Sequence, residues 1–156
     1  MEINIKKNEE YIVDIVDNGF TGEGIAKIDG FTVFIPNLIK GEKAKIKILK
    51  VLSSHAFGKV IEILEKSPVR KDVDCNTFYK CGGCSLRYVN YQDTLNIKKD
   101  AVLSVFKKNY GKEIEIDEVL GMDNPYNYRN KLQYPIGIGI DGKPVMGVLK
   151  KELMRL

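Results

Sequence analysis

The chain has 156 residues, 44% of them hydrophobic, and its 25 basic and 21 acidic side chains leave a formal net charge of only +4. This length suits one ordinary domain or two small ones, and so balanced a charge excludes a general polycation. No apolar run approaches the ~18 residues of a membrane-spanning helix, and the N-terminus has no signal-peptide pattern. We therefore predict a cytoplasmic protein with no membrane or secretory partner.

Residues 1–66 have the pattern of an all-β domain. We expect residues 1–8 to be frayed and Asp17-Asn18-Gly19 to end the first strand. Asp29-Gly30 is a strong signal for a two-residue hairpin, because both positions tolerate positive φ. The predicted strands are short and number five: 11–16, 25–28, 31–35, 43–51 and 57–64. Five such strands in so short a segment suit a small closed β-barrel of the OB type.

Lysines alternate with apolar residues through the fourth predicted strand, which makes one face basic and the other buried. Single-strand binders combine such a basic strip with aromatic platforms. The candidate RNA-binding lysines are Lys40, Lys43, Lys45 and Lys47, with Phe31, Phe34 and Phe57 as possible stacking partners. On the pattern alone, a solvated face that keeps an edge strand from aggregating is the favoured alternative. His55 is expected in a loop, with no special role.

All three cysteines, Cys75, Cys81 and Cys84, lie in one short stretch with C-x5-C-x2-C spacing. Gly82 and Gly83 would let the backbone wrap closely around a bulky inorganic core. Iron–sulfur clusters are held by thiolates at short spacings, usually four, and structural zinc also needs four ligands. The spacing favours an iron–sulfur cluster over zinc, because a second C-x2-C pair is missing. Inert or reactive thiols remain a third possibility, and the odd cysteine count disfavours disulfides.

Residues 67–156 are predicted to form a second unit of α+β type after a charged, proline-marked linker. A helix is expected to start at a capping Asn90, with Asp93 three residues on, and to stop at Gly111. Its apolar face would brace the cysteine loop and comprises Leu95, Val102, Val105 and Phe106. The remaining elements are a short strand over 114–120, extended chain over 128–137 and a hairpin turn at Asp141-Gly142.

The densest group of polar residues with recognition chemistry follows Tyr128. It consists of two cations and two amides able to read base edges: Arg129, Asn130, Lys131 and Gln133. RNA recognition favours splayed single strands held by stacking and edge hydrogen bonds, and Tyr128 or Tyr134 would supply the stacking. Alternation along an extended chain puts half of these side chains in water in any case. RNA binding and plain solvation therefore stay equally open on this pattern.

Taken together, several motifs resemble the RNA (uracil-5-)-methyltransferase family. The matching segments are 22–36, 67–70, 75–86, 91–92, 128–131 and 135–137. The resemblance implies a TRAM domain, an RNA-binding barrel, over 1–66, and an incomplete α+β iron–sulfur domain over 67–156. It also implies that Cys75, Cys81 and Cys84 are the first three ligands of a [4Fe–4S] cluster whose fourth cysteine lies beyond this chain. Asn76 departs from the family, which usually has proline there.

The same resemblance implies a function. The chain would be the RNA-binding and iron–sulfur portion of an S-adenosylmethionine-dependent methyltransferase that modifies ribosomal RNA. The catalytic domain, with its cofactor site and nucleophilic cysteine, is missing from the sequence, so no catalytic residue is assigned and the chain alone is expected to be inactive. The alternatives are a stand-alone RNA-binding module with a structural zinc or cluster site, and a nonfunctional pseudogene product.

The C-terminal tail departs from the family pattern after Gly147. The family continues with an aromatic residue, two basic residues and then Arg-Ser/Thr-His, whereas this chain ends in Val148-Leu149-Lys150-Lys151-Glu152-Leu153-Met154-Arg155-Leu156. If the codons from Lys150 to Arg155 are AAA AAA GAA CTC ATG AGA, a one-nucleotide shift of the frame gives Lys-Arg-Thr-His-Glu, which restores the family-like sequence. Our hypothesis is that the tail is an out-of-frame reading.

Overall fold

The computed structural model describes residues 5–148, which form a six-stranded sheet, one helix and a two-stranded hairpin. The hypothesis about the tail from Leu149 onward lies outside these residues. In chain order the elements are β1 (Glu10–Asp14), β2 (Asp17–Asn18), β3 (Gly24–Ile28), β4 (Phe31–Ile35), β5 (Lys43–Val51), β6 (His55–Glu65), α1 (Tyr91–Tyr110), β7 (Ile136–Ile138) and β8 (Pro144–Met146).

The large sheet has the strand order β1-β5-β6-β4-β3-β2. All neighbours are antiparallel except β4 and β6, which run parallel. β1 and β2 follow one another along the chain yet lie at opposite edges of the sheet. Between them, the Ile15 N–H donates to the Glu42 carbonyl at 2.8 Å and the Val16 N–H donates to the Ile25 carbonyl at 2.9 Å. One segment of chain therefore reaches both edges.

This architecture agrees with the predicted barrel only in part. All five predicted strands are present, but β2 is a sixth. It forms where a strand end was predicted, because Asp17 and Asn18 pair with Ile25 and Gly24 of β3. The arrangement is compatible with a barrel-like domain, although the pairing of the described strands does not define a closed barrel. The Asp29-Gly30 hairpin is confirmed, with φ of 49° and 82° at the two residues.

The core of the sheet follows from the alternation in its strands. The predicted alternation of buried apolar residues and outward lysines holds from Lys43 to Ile48 of β5 and then ends, because the register is irregular between Ile48 and Lys50 and Leu49 is exposed. The side chains of Ala44, Ile46 and Ile48 pack with those of neighbouring strands, and burial of each isoleucine contributes roughly 1.5–3 kcal/mol. Ile5 joins this core with 5% of its surface exposed. The expected fraying is therefore wrong for the described residues that precede β1.

The helix is present, but its details differ from prediction. Gly111 ends α1 in the left-handed conformation with φ of 64°, as expected. Asn90 makes no side-chain capping hydrogen bond. On the predicted apolar face Leu95 is buried, whereas Val102, Val105 and Phe106 are 38% to 43% exposed. Full burial in the helix is therefore confined to Thr94 and Leu95, near its start.

No strand forms over 114–120, contrary to prediction. This segment lies against α1: Lys99 Nζ donates to the Ile116 carbonyl at 2.6 Å, and the Met122 N–H donates to the Tyr91 hydroxyl at 2.7 Å. A β-rich sequence without a neighbouring strand has no partner for its backbone groups. Further on, β7 and β8 form the expected hairpin around Gly142, which has φ of 75°. The division into domains at residue 66 stays a prediction.

Candidate functional site

The cysteine loop, residues 75–84, lies between β6 and α1 and is shaped by short backbone turns. The Phe78 N–H donates to the Cys75 carbonyl at 3.1 Å, and the Cys81 N–H donates to the Thr77 carbonyl at 2.8 Å. All three thiols are free; Cys75 and Cys81 are half-buried, whereas Cys84 is exposed. The loop thus presents three reduced sulfurs close to the protein surface.

Several hydrogen bonds involve the cysteines of the loop or the residues beside them. Hydrogen bonding by Thr77, first from its side chain and then from its backbone, lowers the pKa of the Cys75 thiol. The Gly83 N–H donates to Cys81 Sγ at 3.3 Å. The hydrogen bonds between Arg87 and Asp74, at 2.6 and 3.0 Å, raise the pKa of Arg87. A hydrogen bond between Arg87 and Cys84 raises the pKa of Arg87 further. Thiolates are the form in which cysteine binds metals.

A small second core anchors this loop to the sheet. Phe78 and Tyr88 are almost fully buried and pack with Val89 and with Ile39, which belongs to the connection between β4 and β5. The Phe78 and Tyr88 rings meet edge to face, with centroids 5.8 Å apart. Cys75 packs against the same cluster. The loop is therefore held from both of its ends.

A buried ion pair reinforces the anchor. The Glu42 side chain is 0% exposed and that of Arg70 is 7% exposed. Arg70 donates through Nε to Glu42 Oε1 and through Nη2 to Glu42 Oε2 at 2.8 Å. Burial opposes the charge of Arg70, yet the bonds to Glu42 raise its pKa above the ordinary value. The guanidinium carbon also lies 4.4 Å from the centroid of the Tyr88 ring, within cation–π distance.

The side chains of the loop have the right chemistry for a metal group bound by thiolates, but their sulfurs do not converge on one position. It offers three thiols, an N–H···S hydrogen bond and a neighbouring cation, which are the features that stabilise bound thiolates. Within residues 5–148, no three His, Cys, Asp or Glu side chains converge on a position for a metal ion. The three sulfurs would have to draw together, and the chain has no fourth cysteine.

The predicted basic strip divides into two parts. Lys45 binds Glu10 at 2.8 Å, and Lys43 lies 3.9 Å from both Asp14 and Glu65. Lys47 has no described carboxylate within ion-pair distance; its cross-strand partners are Glu10 of β1 and Lys59 of β6. Lys40 is exposed at a turn, where its backbone N–H donates to Asn18 Oδ1 at 3.0 Å.

The candidate stacking residues also separate. Phe31 packs against the core of the sheet. Phe34 and Phe57 lie on its outer face with their centroids 6.0 Å apart. His55, expected in a loop, is instead the first residue of β6 and lies edge to face with both, at 5.4 Å from Phe34 and 5.1 Å from Phe57. The three partly exposed rings form one cluster.

The second predicted polar group lies in irregular chain before β7. All four of its side chains are exposed: Arg129, Asn130, Lys131 and Gln133. Tyr128 and Tyr134 beside them are 66% and 45% exposed. No described hydrogen bond or ion pair joins this group to the lysines of the sheet. The group is accessible, as recognition requires, but the structure does not bring it together with the first site.

The comparisons with known proteins identify the sheet. The family model named TRAM domain matches residues 6–61. Over 139 residues the chain is 47% identical to a protein of Clostridium acetobutylicum named an uncharacterized RNA methyltransferase. Residues 6–61 therefore match the TRAM domain, and the chain is similar to proteins named RNA methyltransferases.

Other relatives carry the same description. A protein of Clostridium tetani is 43% identical over 136 residues, and one of Listeria monocytogenes is 38% identical over 148 residues. The matches cover 86% to 95% of this chain but only 30% to 32% of the relatives. The chain therefore spans about a third of the length of the relatives that it matches.

One solved structure is similar to part of the chain. The solution structure of a conserved protein from Methanococcus maripaludis is 40% identical, covers 38% of this chain and 86% of its own, and has a TM-score of 0.37. Among the described residues, no helix combines the length and the apolar character that crossing a membrane demands.

Sequence reasoning missed two features of the TRAM domain and its attachment. The first is Glu42, whose partner Arg70 is 28 residues away; neither alternation nor spacing points to such a pair. The second is the role of His55 in the ring cluster. A signal for it existed, because His55 and Phe57 are two residues apart and share one face of any strand that contains both.

Proposed function

We propose that this chain is the RNA-binding and iron–sulfur portion of an S-adenosylmethionine-dependent RNA (uracil-5-)-methyltransferase that acts on ribosomal RNA. One observation carries the proposal: a three-cysteine loop packs directly against a TRAM domain through Ile39, Phe78 and Tyr88. The relatives named RNA methyltransferases, which are about three times as long, support assigning the methyl-transfer site to a region outside this sequence. The chain alone should therefore bind RNA without methylating it.

Cys75, Cys81 and Cys84 would hold three corners of a [4Fe–4S] cluster. The bound cluster would supply a structural cross-link and requires no redox step. The chain's own residues prepare the loop for it: Thr77 lowers the pKa of Cys75, and the Gly83 N–H is already directed at Cys81 Sγ. With three thiols, the fourth position would fall to solvent or to a ligand from outside this chain, which makes the cluster labile.

RNA would bind through exposed cations and amides. Lys40 and Lys47 on the TRAM domain and the group from Arg129 to Gln133 are accessible. Lys43 and Lys45 are also candidates, but they must release Glu10, Asp14 or Glu65 first. Surface ion pairs are weak, typically less than about 1 kcal/mol, so phosphate can compete for these lysines.

The metal assignment is tested by anaerobic purification of the whole chain, followed by iron, sulfide and zinc analysis. We expect a brown protein with iron and sulfide, and we expect Cys81→Ser to lose most of both. Ser85→Ala is the matched control, because Ser85 is an exposed polar neighbour outside the thiol set. A colourless, iron-free protein, including one reconstituted with iron and sulfide, contradicts the cluster.

A second candidate function is a stand-alone RNA-binding module with a structural zinc. The core of the sheet favours this function, because it is complete within residues 5–65. Val33, Ile35 and Ile46 are buried there by side chains of the same segment. Stoichiometric zinc without iron, together with RNA binding, is the result expected of such a module. The ribosomal target is tested separately, by comparing affinities for ribosomal RNA fragments and transfer RNA at matched salt.

A further inference from the structure

The outer face of the sheet carries a patch in which aromatic rings lie beside lysines that form no ion pair among the described residues. On β6, the side chains of His55, Phe57 and Lys59 share this face, since the residues between them, Ala56 and Gly58, are buried. The cross-strand register extends the patch in both directions. Phe34 on β4 and Lys50 on β5 are opposite Phe57, and Lys47 is opposite Lys59.

Charge on this sheet is sorted along the strands. Lys43 and Lys45, at the start of β5, are neutralised by Asp14, Glu10 and Glu65. Around the rings the cross-strand neighbours are Lys27, Thr32, Lys47, Lys50 and Lys59. The one carboxylate in this register is that of Glu10, which is opposite Lys47 but binds Lys45 at 2.8 Å. None of the four lysines around the rings has an ion pair among the described residues. Two of them are directly opposite each other, which is unfavourable unless an anion joins them.

The rings are arranged to accept a flat partner. Phe34 and Phe57 are inclined by only 34° to one another, and His55 is nearly perpendicular to both, at 83° and 82°. All three are partly exposed. Ser54 Oγ lies 3.0 Å from His55 Nδ1, and Nε2 has no hydrogen-bond partner in the described part of the chain. The cluster therefore offers aromatic faces and one free polar edge.

We infer that Phe34, His55 and Phe57 form a stacking site for the unpaired bases of a single RNA strand, with Lys47, Lys59 and Lys50 holding its phosphates. The site rests on the proposed function and locates its RNA contact on the TRAM domain. Every base has a π-face, whereas bases within a duplex have theirs covered, so the site should prefer single strands. The neutralised half of the sheet would contribute less.

The single histidine of the chain gives a direct measurement. Its imidazole proton signals are unique in the NMR spectrum, and a base stacked on this cluster would shift them by ring current. We expect an unpaired oligouridine to shift the His55 signals, and a duplex of equal charge to shift them much less. RNA binding detected by fluorescence anisotropy with unchanged His55 signals would overturn the site but not the proposed function. No binding to any RNA by the unsubstituted chain would overturn both.

Matched variants separate stacking from charge. Phe57→Leu and Phe34→Leu should each weaken oligouridine binding about fivefold or more, by loss of base stacking. Phe20→Leu, at a loop position that is 81% exposed, is the control and should change nothing. Equal losses from Phe20→Leu and Phe57→Leu would contradict the assignment.

The double variants Lys47→Gln/Lys59→Gln and Lys43→Gln/Lys45→Gln remove the same charge from two places, the first beside the ring cluster and the second at the start of β5. The first pair should lower the salt dependence of binding, the slope of log affinity against log salt, by about 0.7 for each lost phosphate contact. The second should lower it by less than half as much. Equal changes would mean that only the overall charge matters, and the site would be wrong.

Discussion

The TRAM sheet and the chain that follows α1 contain similar apolar residues, but the sheet buries them and the later chain leaves them exposed. In the sheet, Val33, Ile35, Ala44, Ile46 and Ile48 have less than 1% of their surface exposed. Between residues 111 and 148 not a single residue is buried, and Ile136, Ile138 and Met146 are at least 73% exposed. The sheet's residues thus complete their own core, whereas the hairpin's apolar side chains need a surface that residues 5–148 do not supply.

The largest effect should come from the link between the sheet and the cysteine loop. Arg70→Met leaves the Glu42 carboxylate buried without its cation, and breaking a buried pair in this way costs about 3–5 kcal/mol. Urea unfolding followed by circular dichroism measures the loss. The double variant Glu42→Gln/Arg70→Met should recover a large part of it. A double variant no more stable than Arg70→Met would show that the carboxylate is not the source of the loss.

A matched pair of truncations tests the contrast within the chain. Ile46→Ala opens a cavity in the sheet core and should lower the free energy of unfolding by about 2–5 kcal/mol. Ile136→Ala makes the same change at a side chain that is 77% exposed, and it should stay within about 0.5 kcal/mol. Both values come from the same urea titration. Similar costs at the two positions would mean that the hairpin is packed in solution.

Limited proteolysis should separate the two regions without any substitution. Segments with few buried contacts open at low free-energy cost. We expect the first cleavages at lysines or Arg129 between residues 112 and 148, with a fragment containing the TRAM sheet and α1 persisting. Mass spectrometry locates the cuts. First cleavage inside β5 or β6 would contradict the comparison.

The smallest effect concerns pH. Arg87 lowers the pKa of Asp74 by hydrogen bonding, so the folded state favours the carboxylate. This contribution is present above the unfolded pKa of about 3.9 and is lost as the pH falls through the lower folded value. The difference in melting temperature between the wild-type chain and Asp74→Asn should therefore shrink below about pH 4. A difference that is constant from neutral to acid pH would exclude this role of the carboxylate.

The sequence sufficed where structure depends on near neighbours. Alternation located the strands of the sheet, and the Asp29-Gly30 and Gly111 signals marked a turn and a helix end, because their φ angles are local requirements. The strand predicted over residues 114–120 does not form, because no neighbouring strand pairs with this β-rich segment. The prediction also failed at Asn90, where the capping residue is present but the bond is not.

The candidate site was predictable to a similar degree. The three thiols and the exposed lysines follow from composition and spacing. The sequence does not show which lysines form ion pairs. Their partners Glu10, Asp14 and Glu65 come from other strands, and the pairing of those strands with β5 places the carboxylates near particular lysines. His55 joins the ring cluster for the same reason: β4 and β6 lie side by side in parallel.

The buried ion pair between Glu42 and Arg70 determines where the chain can be cut when this domain is moved into another protein. The matched TRAM region ends at residue 61, and a graft cut there would carry the buried Glu42 carboxylate without Arg70, the cation that pairs with it among residues 5–148, and without Tyr88. An exchange between related chains should take the strands, the cysteine loop and the chain up to Asn90 as one unit, so that Glu42, Arg70 and Tyr88 stay together.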